Sequence, residues 1–230
     1  DASHPDIAAS LHAIGNVYES KGLYDEALVS HESSLRMRRE AHGGADASHP
    51  DIAASLHAIG NVYERKGLYD EALVSFESSL RMWREAHGGV DASHPDIAAS
   101  LHAIGNVYYR KGLYDEALVS YESSLRMKRE AHGGADASHP GIASSLHTIG
   151  NVHYRKGLYD EALVSYESSL RMKREAHGGA DASHPGIASS LHAIGNVYNR
   201  KGLYDEALVS YESSLRMKRE AHGGADASHP

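Results

Sequence analysis

The chain has 230 residues, 41% of them hydrophobic, and carries 31 acidic against 23 basic residues for a formal charge of −8. Acids and bases are interspersed, so the sequence lacks the basic stripe that neutralises nucleic-acid phosphates. Cysteine is absent, which excludes disulfides and thiolate metal sites. No apolar run approaches the ~20 residues of a membrane span. We therefore expect neither nucleic acid nor a membrane as a partner.

A repeat of 45 residues dominates the sequence. The string Asp-Ala-Ser-His-Pro begins at Asp1, Asp46, Asp91, Asp136, Asp181 and Asp226. This period predicts five repeats, at 1–45, 46–90, 91–135, 136–180 and 181–225, with 226–230 as the start of a sixth. One such unit cannot bury its apolar faces alone and must stack on its neighbours. We expect residues 1–230 to form a single all-α solenoid of helix–turn–helix repeats.

The first helix of each repeat shows a helical apolar period. In repeat 1 the apolar residues are Ile7, Leu11, Ile14 and Tyr18. This spacing predicts a helix over 5–21, with Pro5 in the first turn. Ser3 and His4 are both candidates for the N-cap residue. Gly22 is expected to end the helix in a left-handed conformation.

The second helix is predicted over 25–42, because Asp25 suits a helix start and Gly43-Gly44 a helix end. Its inner side is expected to carry Ala27, Leu28, His31, Ser34, Leu35, Arg38 and Ala41. The residue at position 31 is aromatic in the other repeats, where it is Phe76, Tyr121, Tyr166 or Tyr211. His31 is therefore the exception in a bulky, apolar slot.

These residues resemble the tetratricopeptide repeat (TPR) family in all five repeats. The matching positions in repeat 1 are Leu11, Ile14, Gly15, Tyr18, Gly22, Tyr24, Ala27 and His31. The usual TPR period is about 34 residues, whereas this one is 45. The long second helix and the His-Pro before the next repeat are similar to the kinesin-light-chain-like subgroup. The resemblance implies a right-handed superhelix whose first helices line a concave groove.

The resemblance also implies which residues face that groove. The candidates are His12, Asn16, Glu19, His57, Asn61, Glu64, Arg65, His102, Asn106, Tyr109, Arg110, His147, Asn151, Tyr154, Arg155, His192, Asn196, Asn199 and Arg200. Asn amides can hydrogen-bond an extended peptide, Arg can bind a carboxylate, and Tyr offers amphipathic contact area. The alternative is that Asn is simply common after Gly in this family, and that the Arg and Glu form a solvated face.

No enzyme activity, cofactor or metal is expected. Catalysis needs one asymmetric set of groups, whereas Ser, His and Asp recur here in equivalent settings. The His ladder at position 12 cannot share an ion, because packed helices lie ~8–10 Å apart and ligand bonds span only ~2.0–2.1 Å. A cluster of His42, Asp46 and His49 is considered, but it lacks the four ligands of a structural zinc site.

Two functions remain open from the sequence. Neither end of the array has a polar capping repeat of the kind a finite solenoid needs. The expected end-to-end contacts are Ile7, Leu11, Ile14, Leu208, Tyr211 and Leu215. The first hypothesis is a non-catalytic scaffold, a segment of a long TPR superhelix that assembles end to end with copies of itself into a fibre. This hypothesis would suit an extracellular location. The alternative is a recognition module of a larger receptor or adaptor that binds a protein or peptide in the concave groove. An adaptor would suit a cytoplasmic location.

Overall fold

The computed structural model describes residues 4–44, 47–89, 93–134, 139–179 and 183–221. Within these ranges the chain forms ten α-helices and no strand, which confirms the all-α helix–turn–helix prediction. The helices are α1 (Pro5–Ser20), α2 (Tyr24–Ala41), α3 (Pro50–Lys66), α4 (Tyr69–Ala86), α5 (Pro95–Arg110), α6 (Tyr114–Ala131), α7 (Pro140–Lys156), α8 (Tyr159–Ala176), α9 (Pro185–Arg200) and α10 (Tyr204–Ala221). No helix in these ranges is long and apolar enough to cross a membrane.

The helices group into two compact units, Asp1–Met127 and Lys128–Pro230, and the boundary falls inside α6. In the first unit α1 packs on α2, α2 on α3, α3 on α4 and α4 on α5. In the second unit α7 packs on α8, α8 on α9 and α9 on α10. Sequence neighbours are thus spatial neighbours in each unit, as a stack of repeats requires. A single solenoid over 1–230 stays a prediction.

Histidine, rather than serine, caps the first helix of each repeat. Nδ1 of His49 accepts the backbone N–H of Asp51 at 3.1 Å, and Nδ1 of His139 accepts that of Gly141 at the same distance. Proline then occupies the first turn in all five first helices. Ser3 lies outside the described residues, but its equivalent Ser93 donates elsewhere, to the carbonyl of Met127 at 3.2 Å.

The start of α7 is expected to be less stable than the start of α3, because Gly141 replaces the acidic Asp51 in its first turn. Glycine adds backbone entropy to the unfolded chain and removes the favourable interaction of a carboxylate with the helix dipole. Gly141→Asp should therefore stabilise this turn by about 0.5–1 kcal/mol. In the Gly141→Asp variant, amide hydrogen exchange at 142–145 should slow towards the rate at 52–55. A chelator in the buffer excludes any effect of metal ions on the new carboxylate. Equal exchange at both sites in the wild type would contradict this prediction.

The turn between the two helices of a repeat follows the prediction for Gly22. This residue has φ +76°, in the left-handed region. The N–H of Leu23 donates to the carbonyl of Tyr18 at 2.9 Å, and the N–H of Gly22 to that of Glu19 at 3.0 Å. These two bonds form a Schellman motif that satisfies the last carbonyls of α1.

The prediction for Ala41 is wrong, because this side chain is exposed rather than on the inner side of α2. Ser34 donates to the carbonyl of Ala8 at 2.7 Å, which fixes how α2 lies against α1. Ala41 is seven residues further on, about 10 Å at the helical rise, and so lies beyond the start of α1 at Pro5. The sequence analysis also missed position 37, where Met82 is buried.

Gly15 and its equivalents mark the closest approach of the two helices in a repeat. A Cβ on Gly105 would lie 2.7 Å from two ring carbons of Tyr121. The same contact involves Phe76 at Gly60 and the imidazole of His31 at Gly15. Glycine is thus required because the side chain at position 31 lies flat against its Cα.

Candidate functional site

The histidines at position 12 of each repeat form the His ladder, and they pack against the rings at position 31. The ladder consists of His12, His57, His102, His147 and His192. His57 and Phe76 have ring centroids 5.1 Å apart, and His102 and Tyr121 5.0 Å. Most of the ladder is half-buried, while His192 is exposed. Burial lowers the pKa of His57, although Asp96 opposes that shift. These side chains therefore contribute to the packing of each repeat as well as to the surface of the first helices.

The effect of burial on histidine charge is strongest at His147. Burial, reinforced by the nearby Lys173, lowers the pKa of His147 to about 4. Burial and then Arg38 lower the pKa of His12 as well. A ligand that approaches either residue at neutral pH therefore meets an uncharged imidazole.

The asparagines at position 16 of repeats 3 to 5 hydrogen-bond the tyrosines at position 31 of the same repeats. Oδ1 of Asn106 accepts the hydroxyl of Tyr121 at 2.7 Å. The same bond joins Asn151 to Tyr166 at 2.7 Å and Asn196 to Tyr211 at 2.8 Å. Each amide is thereby oriented by a buried or half-buried phenol of the same repeat.

Position 20 of one repeat contacts position 19 of the preceding repeat. Nε of Arg65 lies 2.7 Å from Oε1 of Glu19, and Nε of Arg110 lies 3.8 Å from Oε1 of Glu64. Burial raises the pKa of Glu64, while Arg110 and then Arg65 lower it. The arginines predicted to bind a ligand carboxylate therefore already have an internal carboxylate in the first unit.

The corresponding contact in the second unit is different. Nε of Arg200 donates to the hydroxyl of Tyr154 at 3.2 Å. A phenol leaves the guanidinium charge uncompensated, whereas a carboxylate neutralises it. The variation at position 19, Glu in repeats 1 and 2 and Tyr in repeats 3 and 4, thus changes the charge of this surface.

Five of the predicted groove residues line one pocket of about 640 Å³ in the first unit. The lining residues are Glu19, Tyr24, Asn61, Glu64, Arg65, Lys66, Gly67, Tyr69 and Arg110. The sequence analysis missed the contributions of Tyr24, Lys66 and Tyr69. Tyr24 and its equivalents occur in every repeat two residues after the turn glycine, and that regularity was the available signal.

The predicted end-to-end residues are more exposed than their interior equivalents. Ile7 is 43% exposed whereas Ile52 is fully buried, and Leu215 is 47% exposed whereas Leu170 is 7% exposed. Leu208 is likewise exposed at 56%. Tyr211 and Leu11 are half-buried. These residues therefore form an apolar face at each end of the described repeats.

Comparisons with known proteins agree with this architecture. Tetratricopeptide repeat profiles match residues 51–130, 96–175 and 141–220, and another tetratricopeptide repeat profile matches 7–51. Among curated proteins, none matches the chain in sequence.

Several crystal structures share the fold at low sequence identity. The nearly identical TPR-like repeats described as a Podosopora anserina kinesin light chain superpose with a TM-score of 0.78 at 21% identity, covering 96% of this chain and 99% of that one. BtubC (BKLC) from P. vanneervenii superposes with a TM-score of 0.79 at 17% identity, covering 98% of this chain and 84% of that one. A Rap protein in complex with Competence and Sporulation Factor superposes with a TM-score of 0.66 at 14% identity, covering 93% of this chain and 54% of that one. The chain belongs to the tetratricopeptide repeat family, whose members are generally non-enzymatic protein-interaction scaffolds, and it has the fold of the kinesin-light-chain-like repeats.

Proposed function

We propose that this protein is a structural scaffold that extends by stacking equivalent repeats end to end, so that copies associate head to tail into a fibre. The carrying observation is the difference in burial between equivalent residues. Ile14 is 45% exposed at one end, whereas Ile59 is 4% exposed inside the array. The face that Ile14 leaves exposed in repeat 1 is thus the face that its equivalents bury in the later repeats.

The two end faces are complementary because interior repeats already join them. At the junction of repeats 1 and 2, Leu35 packs with Ile52, Leu56 and Ile59 in one apolar cluster. Leu215 is the equivalent of Leu35, so it presents the same half of this cluster at the other end. Each side chain covered contributes ~1.5–3 kcal/mol before the entropy of association is subtracted.

Polar contacts fix how adjacent repeats align at this apolar junction. Nη1 of Arg38 donates to Oγ of Ser55 in the next repeat at 2.8 Å, and Nζ of Lys173 makes the equivalent bond to Ser190 at 2.8 Å. Lys218 occupies the corresponding position in the last repeat. A second copy that docks with the same step would therefore present Ser10 to this lysine.

Sedimentation velocity over a concentration series tests the proposal. The wild-type chain should form larger species as concentration rises, and Leu208→Glu with Leu215→Glu should abolish them without loss of helical circular dichroism. Val209→Glu is the matched control, because Val209 and its interior equivalent Val164 are both 65% exposed and so lie away from the junction. A wild-type chain that stays a monodisperse monomer at high micromolar concentration would contradict the proposal.

The polar pocket in the first unit favours recognition of a protein or peptide as a second candidate function. Asn61, Arg65 and Arg110 offer amide and guanidinium donors around the Glu19 and Glu64 carboxylates. Peptides selected on the wild-type chain should bind an Asn61→Ala, Arg65→Ala variant at least tenfold more weakly. Binding unaffected by these changes would exclude this pocket as the peptide site.

A further inference from the structure

Paired histidines lie at each described junction between the second helix of one repeat and the first helix of the next. His42 follows α2 and His49 caps α3, and their rings stack with centroids 3.4 Å apart. The same stack occurs between His87 and His94 at 3.5 Å, and in the second unit between His177 and His184 at 3.6 Å. Two imidazoles from different helices are thus held in contact.

A carboxylate joins the histidine pair at two of these junctions. Oδ2 of Asp51 lies 3.4 Å from Nε2 of His42 and 3.4 Å from Nδ1 of His49. The next junction repeats the arrangement with His87, His94 and Asp96. At both, the three potential ligand atoms lie within 4.8 Å of one another. Asp46, the partner considered from the sequence, lies outside the described residues, and Asp51 completes the cluster instead.

Before any rearrangement, the carboxylate oxygen already lies about as far from the imidazole nitrogens as ligand atoms lie from one another around a tetrahedral metal ion. Two ligand atoms bound at ~2.0–2.1 Å to such an ion lie ~3.3–3.4 Å apart. The two distances from the Asp51 carboxylate oxygen to the imidazole nitrogens have this value. Imidazole and carboxylate are also ligands that Zn²⁺ and related ions accept.

We propose that His42, His49 and Asp51 form one site, and His87, His94 and Asp96 a second, each for a divalent ion of the zinc class. Three protein ligands leave the fourth position to water. Because the ligands come from both sides of a junction, the bound ion ties adjacent repeats together within the first unit. Metal binding would thus stiffen this part of the scaffold.

Binding requires a local rearrangement of the rings. An ion lies in the plane of each imidazole that it binds, so the two rings must rotate out of their stack about a soft terminal torsion. Nδ1 of His49 must also exchange the N–H of Asp51 for the ion.

The second unit contains the same histidine pairs without the carboxylate, and so shows what the carboxylate contributes to metal binding. Gly141 follows the His132–His139 pair and Gly186 follows the His177–His184 pair, so neither junction has the equivalent of Asp51. A cation there would also face the partial positive charge of a helix N-terminus without an acid to offset it. We therefore expect these two junctions not to bind the ion tightly.

Calorimetric titration of the chain, without an affinity tag, with Zn²⁺ tests the proposal. The wild-type chain should bind two ions, Asp51→Gly with Asp96→Gly should weaken both sites at least tenfold, and Gly141→Asp with Gly186→Asp should raise the number to four. Asp51→Asn with Asp96→Asn removes the charges while keeping the side-chain shape, and helical circular dichroism checks that each variant folds. No saturable binding, or unchanged binding without the carboxylates, would overturn the proposal.

Trp83 reports on the second site. It is the single tryptophan of the chain, and its ring centroid lies 5.6 Å from that of His87 and 6.5 Å from that of His94. Co²⁺, whose d-electron absorption quenches fluorescence, should therefore quench Trp83. Asp96→Gly should remove most of the saturable quenching, whereas Asp51→Gly should reduce it much less. Equal effects of the two substitutions would show that the ion is not held at the cluster beside Trp83.

Discussion

Replacing His31 with phenylalanine is expected to stabilise the first repeat by about 1–3 kcal/mol at pH 7. His31 is fully buried, and neither ring nitrogen hydrogen-bonds to any described part of the chain. The equivalent slot in repeat 2 holds Phe76, which is also fully buried. Phenylalanine therefore fits a site that the fold already accommodates, and it removes two polar atoms that were desolvated without compensation.

The stabilisation by His31→Phe should increase as the pH falls. Burial, followed by the nearby His12 and Arg38, lowers the pKa of His31 from 6.5 to about 4. Between these values the unfolded chain binds a proton that the folded chain does not, so the wild type loses stability as the pH falls from about 6.5 towards 4. His31→Phe removes this contribution.

Hydrogen exchange of α1 and α2 at pH 7 and pH 5 measures both effects. Phe76→His is the reciprocal control. It should bury an imidazole without hydrogen-bond partners in repeat 2 and so destabilise α3 and α4. A His31→Phe variant whose first repeat exchanges as fast as wild type at both pH values would contradict the account of this slot.

Gly105→Leu is expected to destabilise the first unit by at least ~1–3 kcal/mol. The Cβ of the new side chain would lie 2.7 Å from the ring of Tyr121. That ring is 1% exposed, and its hydroxyl is held by Asn106 at 2.7 Å. The ring cannot move aside without breaking this bond or displacing its buried neighbours.

Thermal or urea unfolding followed by circular dichroism measures the loss. Ala99→Leu is the matched control, because it adds a similar side chain to the exposed face of the same helix. That substitution should change stability by no more than about 0.5 kcal/mol. If Gly105→Leu unfolds no earlier than Ala99→Leu, the close contact at this glycine is not required by the fold.

The helices could be predicted closely because the repeat carries strong local signals. Pro5 and Gly22 delimit the first helix, and the observed α1 ends one residue before the predicted end. The N-cap could not be assigned, because Ser3 and His4 offer similar capping chemistry and only the ring orientation decides between them. Ala41 was misplaced because a helical wheel shows which side a residue faces but not where the facing helix begins.

The candidate site was only partly predictable, because its main contacts join residues far apart in sequence. Asn106 bonds Tyr121 across the turn of one repeat, and Arg65 reaches Glu19 in the preceding repeat. The spacing of these residues in the chain does not reveal such pairs, since they depend on how two helices pack. The resemblance supplied a candidate helix face, but not which polar groups on it hydrogen-bond or pair with one another.

A mixing experiment with two singly blocked variants tests head-to-tail association most directly. Ile7→Glu with Ile14→Glu blocks one end, and Leu208→Glu with Leu215→Glu blocks the other. Each variant alone should sediment as a monomer, because head-to-tail contact needs one open face of each kind. An equimolar mixture should form a one-to-one dimer and nothing larger, because each partner contributes its one remaining face. Dimers of either variant alone, or a mixture that stays monomeric, would contradict the account.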